Sequence, residues 1–316
     1  MKEINTKIKV GILRGGNNEN YETSLREGAK MIAYIVETLP HKAKAVDVFV
    51  DKAGVWYIQG IPVLPMDLVY KVDVLWDTTM PALSQVLDGH IPLFKIPHFA
   101  ASMVSSKALL KEHMKTIGVE MPMHMILSPY QEDLNGSVDG YVMTKAREVH
   151  AKFGAPWLVK SFNKDSNIGV HVAKTFPELM NAIEDLMKHN KSILVEELIP
   201  GKRGGVHTIG GFRGEPLYHM LPYEIRKNDV LEPIGNFNDT ENKKLYALAE
   251  NIYNHLGAGN YLHFNFVLHK RGAIYVTDIK LAPDFIDGTA LARSSNTVGT
   301  KAQEVFEHIL NKTLYI

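Results

Sequence analysis

Two apolar runs near the end of the sequence carry polar side chains at alternating positions. The pattern predicts a strand at residues 262–268, a turn at 270–272 and a returning strand at 274–279. Because side chains alternate between the two faces of a strand, one face of this hairpin presents four polar residues. These are His263, Asn265, Asp278 and Lys280. The four can point into one cavity; the alternative is a half-buried hairpin with a solvated face.

A second candidate site surrounds Lys160. This lysine lies in a predicted strand at 157–161, directly before a polar loop that contains Ser166 and ends at Gly169. A loop of this kind can fold over phosphate groups, with backbone N–H groups and the serine hydroxyl as donors. The alternative is an ordinary surface hairpin, because a strand resumes at 170–173.

Carboxylates and glycines mark two further positions. Glu196 and Glu197 interrupt an otherwise apolar strand predicted at 192–199, which is costly unless they face solvent or a ligand. Near the start, the first predicted strand leads into Gly15 and Gly16 and then into a helix. The N-terminus of such a helix can hold an anion or another ligand. Many α/β turns share this glycine pattern, so the pattern alone does not identify a site.

The elements that must position these residues form three predicted domains. An N-terminal α/β domain at 1–97 is followed by a central domain at 98–190 and a C-terminal domain at 191–316. The first domain is expected to contain a largely parallel sheet, with strands at 8–13, 45–50, 55–58 and 72–77. Its first helix has one apolar stripe, which predicts these buried positions: Leu25, Ala29, Ile32, Ala33 and Val36.

Three predictions in the later domains are specific enough to test. A helix is expected to begin at Ser102 and end at Gly118, with these apolar positions inward: Leu109, Leu110, Met114 and Ile117. Residues 217–225 predict one strand, and 229–240 have no clear period and predict a loop.

Composition excludes several classes of function. The 316 residues carry 35 basic and 35 acidic side chains, so no nucleic-acid or membrane partner is indicated. The absence of cysteine excludes disulfides, thiolate metal sites and a cysteine nucleophile. No apolar run approaches the roughly 20 residues that span a bilayer. The first residues also lack the pattern of a signal peptide, so we expect a cytoplasmic protein.

The order of these signals resembles that of one protein family. The shared features are the Gly15-Gly16 turn, Lys107 on the first helix of the second domain, Lys160 before a serine-containing loop, a Leu-Val-Glu-Glu strand, and an acidic hairpin ending at Pro283. Over essentially its whole length the chain is similar to ATP-grasp proteins, and most closely to the D-alanine–D-alanine ligases.

The resemblance implies both a fold and a reaction. The fold is α/β (α+β), an ATP-grasp fold with an N-terminal parallel α/β domain and two lobes that clamp ATP. In the family, ATP phosphorylates the carboxylate of one D-alanine, and the amine of a second attacks the acyl phosphate. A small amino-acid-like substrate, a cytoplasmic homodimer and a role in cell-wall peptidoglycan follow from the same resemblance.

The resemblance also assigns residues to ATP. These are Lys107, Lys160, Ser166, Glu196, Glu197, Ile199 and Arg203. The two lysines match the family's phosphate-contacting lysines, and residues 196–199 match the strand that reads the adenine edge. Arg203 departs from the family, because it stands where the family has a ribose-binding glutamate.

The positions assigned to substrate are Gly15, Asn20, Glu22, Ser166 and His263. Asn20 stands where the family has a glutamate that receives the substrate ammonium, and a shifted alignment would let Glu19 or Glu22 replace it. His263 stands where the family has an arginine that stabilises the oxyanion, and a protonated histidine could partly replace it. The family's covering loop with a Lys-Tyr pair has no counterpart in 223–238. Ser166, His263 and Lys280 are the catalytic candidates.

The metal positions differ most from the family. Two Mg²⁺ ions are held there by Asp, Glu and Asn, where this chain has Asn265, Asp278 and Lys280. Asp278 and Asn265 remain as metal ligands, but an ammonium repels a neighbouring cation. Either one ion is lost or Lys280 replaces it, paired with Asp278 when no nucleotide is bound. The predicted function is an ATP-dependent carboxylate–amine ligase with altered substrate or reduced activity; the alternative is a non-catalytic nucleotide-binding or scaffold protein.

Overall fold

The computed structural model describes most of the chain, namely residues 7–18, 20–80, 82–162, 169–189, 192–226, 230–286 and 288–315. Contacts between residues divide it into two compact units. The first consists of Met1–Val119, Arg203–Phe266 and Asp278–Ile316, and the second of Glu120–Lys202 and Val267–Thr277. The division into three domains stays a prediction.

The first unit contains the predicted N-terminal sheet, with strand order β4-β3-β2-β1-β5-β6. Its strands are β1 (Ile8–Gly15), β2 (Ala43–Val50), β3 (Trp56–Ile58), β4 (Ile61–Val63), β5 (Val74–Asp77) and β6 (Leu93–Phe94). β1 pairs in parallel with β2 and β5, and β5 pairs in parallel with β6. β3 and β4 continue the sheet in antiparallel fashion. A largely parallel sheet is therefore confirmed, with an antiparallel edge. Two 3-10 helices, Pro65–Tyr70 and Leu83–Leu87, lie in the connections.

The helix after the glycine turn, α1 (Tyr21–Thr38), buries a different face from the one predicted. Its buried positions are Ser24, Gly28, Met31, Tyr34 and Ile35, whereas Val36 is 60% exposed. The Ser24 hydroxyl accepts a hydrogen bond from the Gly15 N–H at 3.0 Å. This polar contact at the end of β1 turns Ser24 inward, and the apolar stripe read from the sequence is rotated toward solvent.

The single helix predicted from residue 102 is also wrong. Two helices are present, α2 (His98–Ser105) and α3 (Lys107–Thr116). Ser106 separates them in an extended conformation and accepts a hydrogen bond from the Leu109 N–H, as an N-cap residue does. Leu109 is consequently 50% exposed, although the sequence predicted it to be buried.

The second unit is a four-stranded antiparallel sheet with order β7-β10-β8-β9. Its elements are β7 (His124–Leu127), α4 (Glu132–Asn135), α5 (Val138–Lys152), β8 (Trp157–Ser161), β9 (His171–Ala173), α6 (Phe176–Met187) and β10 (Ile193–Glu197). Apolar residues of α5 and α6 share one core with the sheet, including Val149, Ile183 and Val195.

The third sheet has the order β14-β13-β11-β15-β16, with β12 paired to β11. Its strands are β11 (Gly201–Gly210), β12 (Leu217–His219), β13 (Tyr223–Ile225), β14 (Leu231–Glu232), β15 (Tyr261–His269) and β16 (Ile274–Lys280). The associated helices are α7 (Asp239–Leu256), α8 (Ala290–Thr297), α9 (Ala302–Leu314) and a 3-10 turn at Phe212–Gly214. The predicted β15–β16 hairpin is confirmed.

Three boundaries in this region differ from the sequence predictions. The strand expected at 217–225 is two strands, because Pro222 has no N–H for a ladder bond. The expected loop contains the short strand β14, and α8 was not predicted. In the described part of the chain, no helix is long and apolar enough to cross a membrane.

Candidate functional site

A tyrosine links the two polar residues of β15. The Tyr223 hydroxyl lies 2.8 Å from His263 Nε2 and donates a hydrogen bond to Asn265 Oδ1, also at 2.8 Å. Tyr223 reaches β15 from β13 because its partner on the intervening strand is Gly205. A Cβ at that glycine would lie 2.3 Å from the tyrosine hydroxyl oxygen. The glycine therefore gives the phenol ring room to cross β11.

A second histidine lies against this group. The His207 ring stacks on His263 with 4.4 Å between centroids, and His207 Nδ1 lies 2.7 Å from the Tyr261 hydroxyl. His207 and His263 are only 2% and 5% exposed. Sequence reasoning missed both His207 and Tyr223, which lie far from the hairpin in sequence; only the Gly205–Tyr223 strand pairing would have identified Tyr223.

Burial fixes the charge of these rings. Burial, and then the positive charge of Lys280, lower the pKa of His263 to about 3. Burial also lowers the pKa of His207 well below its ordinary value. Burial together with the charge of Asp278 raises the pKa of the Tyr223 phenol. These causes favour a neutral imidazole at His263 and disfavour the expectation that a protonated His263 replaces the family's arginine, which stays a prediction.

Lys280 and Asp278 lie on β16, next to β15. Lys280 is exposed at the end of the strand, and Asp278 is partly exposed. Solvent can therefore stabilise this ammonium, and the predicted pairing of Lys280 with Asp278 is not required by burial. Its charge still reaches His263 and His207, since it lowers the pKa of both.

The oxygen donors here do not fit two magnesium ions. Asp278 supplies the carboxylate of the set, and Asn265 Oδ1 already accepts the Tyr223 hydroxyl. Nowhere among the described residues do three or more His, Cys, Asp or Glu side chains form a group that could hold a metal. Mg²⁺ requires hard oxygen ligands in near-octahedral geometry, and an ammonium cannot be one of them. The donor set therefore lacks the oxygen ligands that two ions would need, and Asp278 is the carboxylate that would contribute to holding an ion.

The second unit contains the Lys160 site. The Lys160 ammonium lies 2.5 Å from Glu196 Oε2, and the two side chains are 31% and 11% exposed. The strands β8 and β10 pair so that Lys160 faces Leu194, which places Glu196 diagonally opposite Lys160. The predicted cation and carboxylate are therefore adjacent. Ser166 lies outside the described residues.

The other residues predicted to bind the nucleotide lie in different elements of the fold. Glu197 Oε2 accepts a hydrogen bond from the Met123 N–H at 3.2 Å, and Ile199 follows it in the loop after β10. In the first unit, Arg203 donates from Nη2 to the Arg226 carbonyl at 3.0 Å. Lys107 is the first residue of α3, where a cation opposes the helix dipole unless an anion is nearby.

Three of the predicted substrate residues lie at or near the first glycine turn, whereas His263 lies on β15. Gly15 ends β1 with a φ of 95°, and a Cβ there would lie 2.1 Å from the Val50 carbonyl oxygen. Asn20 precedes α1, and its Nδ2 donates to the Met80 carbonyl at 2.9 Å. Glu22 is exposed in the first turn of α1, and Glu19 lies outside the described residues.

A cavity of about 500 Å³ opens beside this turn. Its lining includes Arg14, Asp47, Tyr21, Phe49 and Tyr57, whereas Gly15, Asn20 and Glu22 are not part of it. The Arg14 guanidinium binds the Asp47 carboxylate through two hydrogen bonds, at 2.6 Å and 2.7 Å. Arg14 and Asp47 therefore satisfy each other, and the cavity floor has little unpaired charge.

Comparison with known proteins gives consistent matches. Residues 114–311 match the family model described as D-ala D-ala ligase C-terminus. A D-alanine–D-alanine ligase of Paraburkholderia phymatum is 27% identical over 240 residues, covering 72% of this chain and 74% of the relative. The ligase of Geotalea uraniireducens is 22% identical and covers 98% of this chain and 96% of its own.

Solved structures match the fold over nearly the full length. D-alanyl-alanine synthetase A of Vibrio cholerae has a TM-score of 0.69 at 16% identity, covering 98% of this chain and 99% of its own. The VanG D-Ala:D-Ser ligase of Enterococcus faecalis has a TM-score of 0.67 at 17% identity, covering 98% and 100%. The predicted α/β (α+β) ATP-grasp fold is confirmed. Because the family model covers more than half of the residues, this chain belongs to the D-alanine–D-alanine ligase family.

Proposed function

We propose that this protein is an ATP-dependent carboxylate–amine ligase that forms ADP. A substrate carboxylate oxygen would attack the γ-phosphorus of ATP, giving an acyl phosphate and ADP. The amine of a second substrate would then attack the acyl carbon, forming the amide and releasing inorganic phosphate and a proton. The observation that carries the proposal is the Lys160–Glu196 pair within a chain of this family.

The nucleotide would bind at Lys160 and at the strand that carries Glu196. Lys160 would contact the phosphates, because an ammonium is a suitable point charge for them. Residues 196–199 would bind the adenine edge, and the roles of Lys107, Arg203 and Ser166 are those that the family resemblance implies. Mg²⁺ would use the Asp278 carboxylate, and we propose one ion rather than two because Asn265 Oδ1 already accepts the Tyr223 hydroxyl.

We expect an altered substrate or a reduced rate compared with relatives named as D-alanine–D-alanine ligases. A neutral His263 cannot supply the positive charge of an arginine to a developing oxyanion, and losing one such donor costs about 10²–10³ in rate. The uncharged Asn20 also offers less to a substrate ammonium than a carboxylate would. The substrate would be amino-acid-like, bound near Gly15, Asn20 and Glu22.

A second candidate function is a nucleotide-binding or scaffold protein without turnover. The neutral, buried His207–His263 stack favours it, because the stack supplies no charge to a reacting group. A homodimer and a cytoplasmic location accompany either proposal.

Measuring ADP release with a panel of D- and L-amino acids, with and without Mg²⁺, would test the ligase proposal. A ligase predicts ADP that depends on the amino acid and is formed together with a new amide. Nucleotide binding without amino-acid-dependent ADP would support the scaffold function. Rapid ADP formation with D-alanine alone would contradict the altered substrate.

A further inference from the structure

We propose that Asn265 and Lys280 form a phosphate-binding pair that replaces one of the two magnesium ions of the family, and that Tyr223 orients the Asn265 amide for this role. The ligand is a phosphate group of a nucleoside triphosphate. The inference rests on the proposed nucleotide-dependent function and adds how the phosphate is held. It also assigns a positioning role to Tyr223, a residue of β13 outside the hairpin.

The hydrogen bonds of Tyr223 determine which end of the amide faces the opening. A phenol hydroxyl has one proton to donate and remains protonated at neutral pH. This proton goes to Asn265 Oδ1, at 2.8 Å, and the same hydroxyl oxygen lies 2.8 Å from His263 Nε2. The imidazole must then donate to the tyrosine oxygen. With Oδ1 held by Tyr223, the Nδ2 amino group of Asn265 points away from the tyrosine.

Asn265 is the accessible residue of an otherwise buried strand segment. Positions 261–264 and 266–268 of β15 are buried, whereas Asn265 is partly exposed. A ligand approaching this face therefore meets the amide of Asn265 first. It meets N–H donors, which bind an anion, because the carbonyl oxygen that would bind a cation is turned toward Tyr223.

Lys280 adds a positive charge close to this group. It lies on the neighbouring strand β16, and its charge reaches the His263 ring beside Asn265. An ammonium and an amide N–H both donate hydrogen bonds to phosphate oxygens. The ammonium repels a metal ion, and the N–H group cannot ligate one. Asp278, two residues before Lys280, remains as a carboxylate for one Mg²⁺ on the same phosphate.

The test is calorimetric binding of the non-hydrolysable β,γ-imido analogue of ATP, in EDTA and in Mg²⁺, with the full-length protein. We expect the wild-type dissociation constants in the two buffers to differ by less than about tenfold. Asn265→Asp replaces a donor by a carboxylate, so binding in EDTA should weaken by about 10–100-fold and Mg²⁺ should restore it. Lys280→Asn should also make binding strongly dependent on Mg²⁺.

Tyr223→Phe tests the positioning role. Without the hydroxyl the amide can rotate, so binding in EDTA should weaken several-fold and Mg²⁺ should recover it. Tyr261→Phe is the matched control, because it removes a buried hydroxyl that bonds His207 at 2.7 Å and does not touch Asn265. It should leave the ratio of the two dissociation constants unchanged. If thermal unfolding shows that Tyr223→Phe does not fold, the binding data for Asn265→Asp test the phosphate-binding pair instead.

Two results would overturn the inference. The first is that binding to the wild-type protein requires Mg²⁺ as strongly as binding to Asn265→Asp does. The second is that the ratio of the dissociation constants in EDTA and in Mg²⁺ is the same for Tyr223→Phe and Tyr261→Phe. If the analogue binds in Mg²⁺ and binding is lost in Lys160→Ala, the nucleotide site stands and only the phosphate pair fails. No binding in either buffer would instead contradict the proposed function itself.

Discussion

Lys160 and Glu196 form an ion pair between adjacent antiparallel strands, with 2.5 Å between the ammonium nitrogen and a carboxylate oxygen. Glu196 is the more buried partner, with a side chain 11% exposed against 31% for Lys160. A buried carboxylate requires a counter-charge, and the lysine supplies it. The pair therefore links β8 and β10, and under the proposed function the partly exposed lysine would also contact a nucleotide phosphate.

Lys160→Ala should weaken ATP binding by about tenfold or more, because a charge-assisted contact to phosphate is lost. Lys145→Ala is a suitable control, since Lys145 pairs with Glu148 at 2.9 Å on a helix of the same unit. Calorimetry with ATP measures both variants. Equal affinities of Lys160→Ala and wild type would remove Lys160 from the nucleotide site.

Gly15→Ala should destabilise the first unit by several kcal/mol, because the new Cβ would lie 2.1 Å from the Val50 carbonyl oxygen and φ is positive. Gly89 also has a positive φ, of 78°, but has no atom within 4 Å of the Cβ position. Gly89→Ala should therefore cost only about 1 kcal/mol. Chemical denaturation of both variants separates the clash from the backbone strain. Equal losses would show that close approach to β2 is unimportant.

Stability should fall in acid partly because of His207. Burial, with the charges of His263 and Lys280, holds its pKa well below the ordinary value, so the folded state does not take up the proton. The unfolded chain does so below about pH 6.5. This contribution is therefore complete above pH 6.5 and is lost as the pH falls, at about 1.4 kcal/mol per pH unit. The charged and titratable groups near the ring are His263, Tyr223, Tyr261 and Lys280.

His207→Phe keeps an aromatic ring in the stack and removes this titration. Denaturant unfolding at pH values from 7 to 5 should give a smaller slope of unfolding free energy against pH for the variant. An unchanged slope would mean that His207 is protonated in the folded protein. A lower stability of the variant at all pH values is expected as well, since the Tyr261 hydroxyl loses its partner.

The sequence correctly predicted the structural features that short residue patterns determine. Alternating apolar residues identified the β15–β16 hairpin, and the glycine turn after β1 predicted a strand followed by a helix. Lys160 and Glu196 were each placed on a strand, but their proximity depends on the pairing of β8 with β10, which was not predicted. The hairpin and the strand–turn–helix unit depend on residues that are close in sequence or on the order of motifs shared with the family.

The failures came from long-range contacts. The buried face of α1 carries Met31, Tyr34 and Ile35, but it also includes Ser24, whose hydroxyl bonds the Gly15 N–H, and so the neighbouring apolar stripe was predicted instead. The neutrality of His263 depends on burial under His207 and on the charge of Lys280. Tyr223 reaches Asn265 because Gly205 leaves space between their strands. None of these can be read from one segment alone.

Transfer of ¹⁸O from a labelled substrate to phosphate tests the central claim most directly. The carboxylate of the amino acid that best stimulates ADP release would be labelled and incubated with ATP, Mg²⁺ and the protein. An acyl-phosphate ligase moves one carboxylate oxygen into the released phosphate, so the account predicts singly labelled phosphate in equal amount to ADP. Unlabelled phosphate, or no ADP with any amino acid, would contradict the assignment of this chain as a carboxylate–amine ligase.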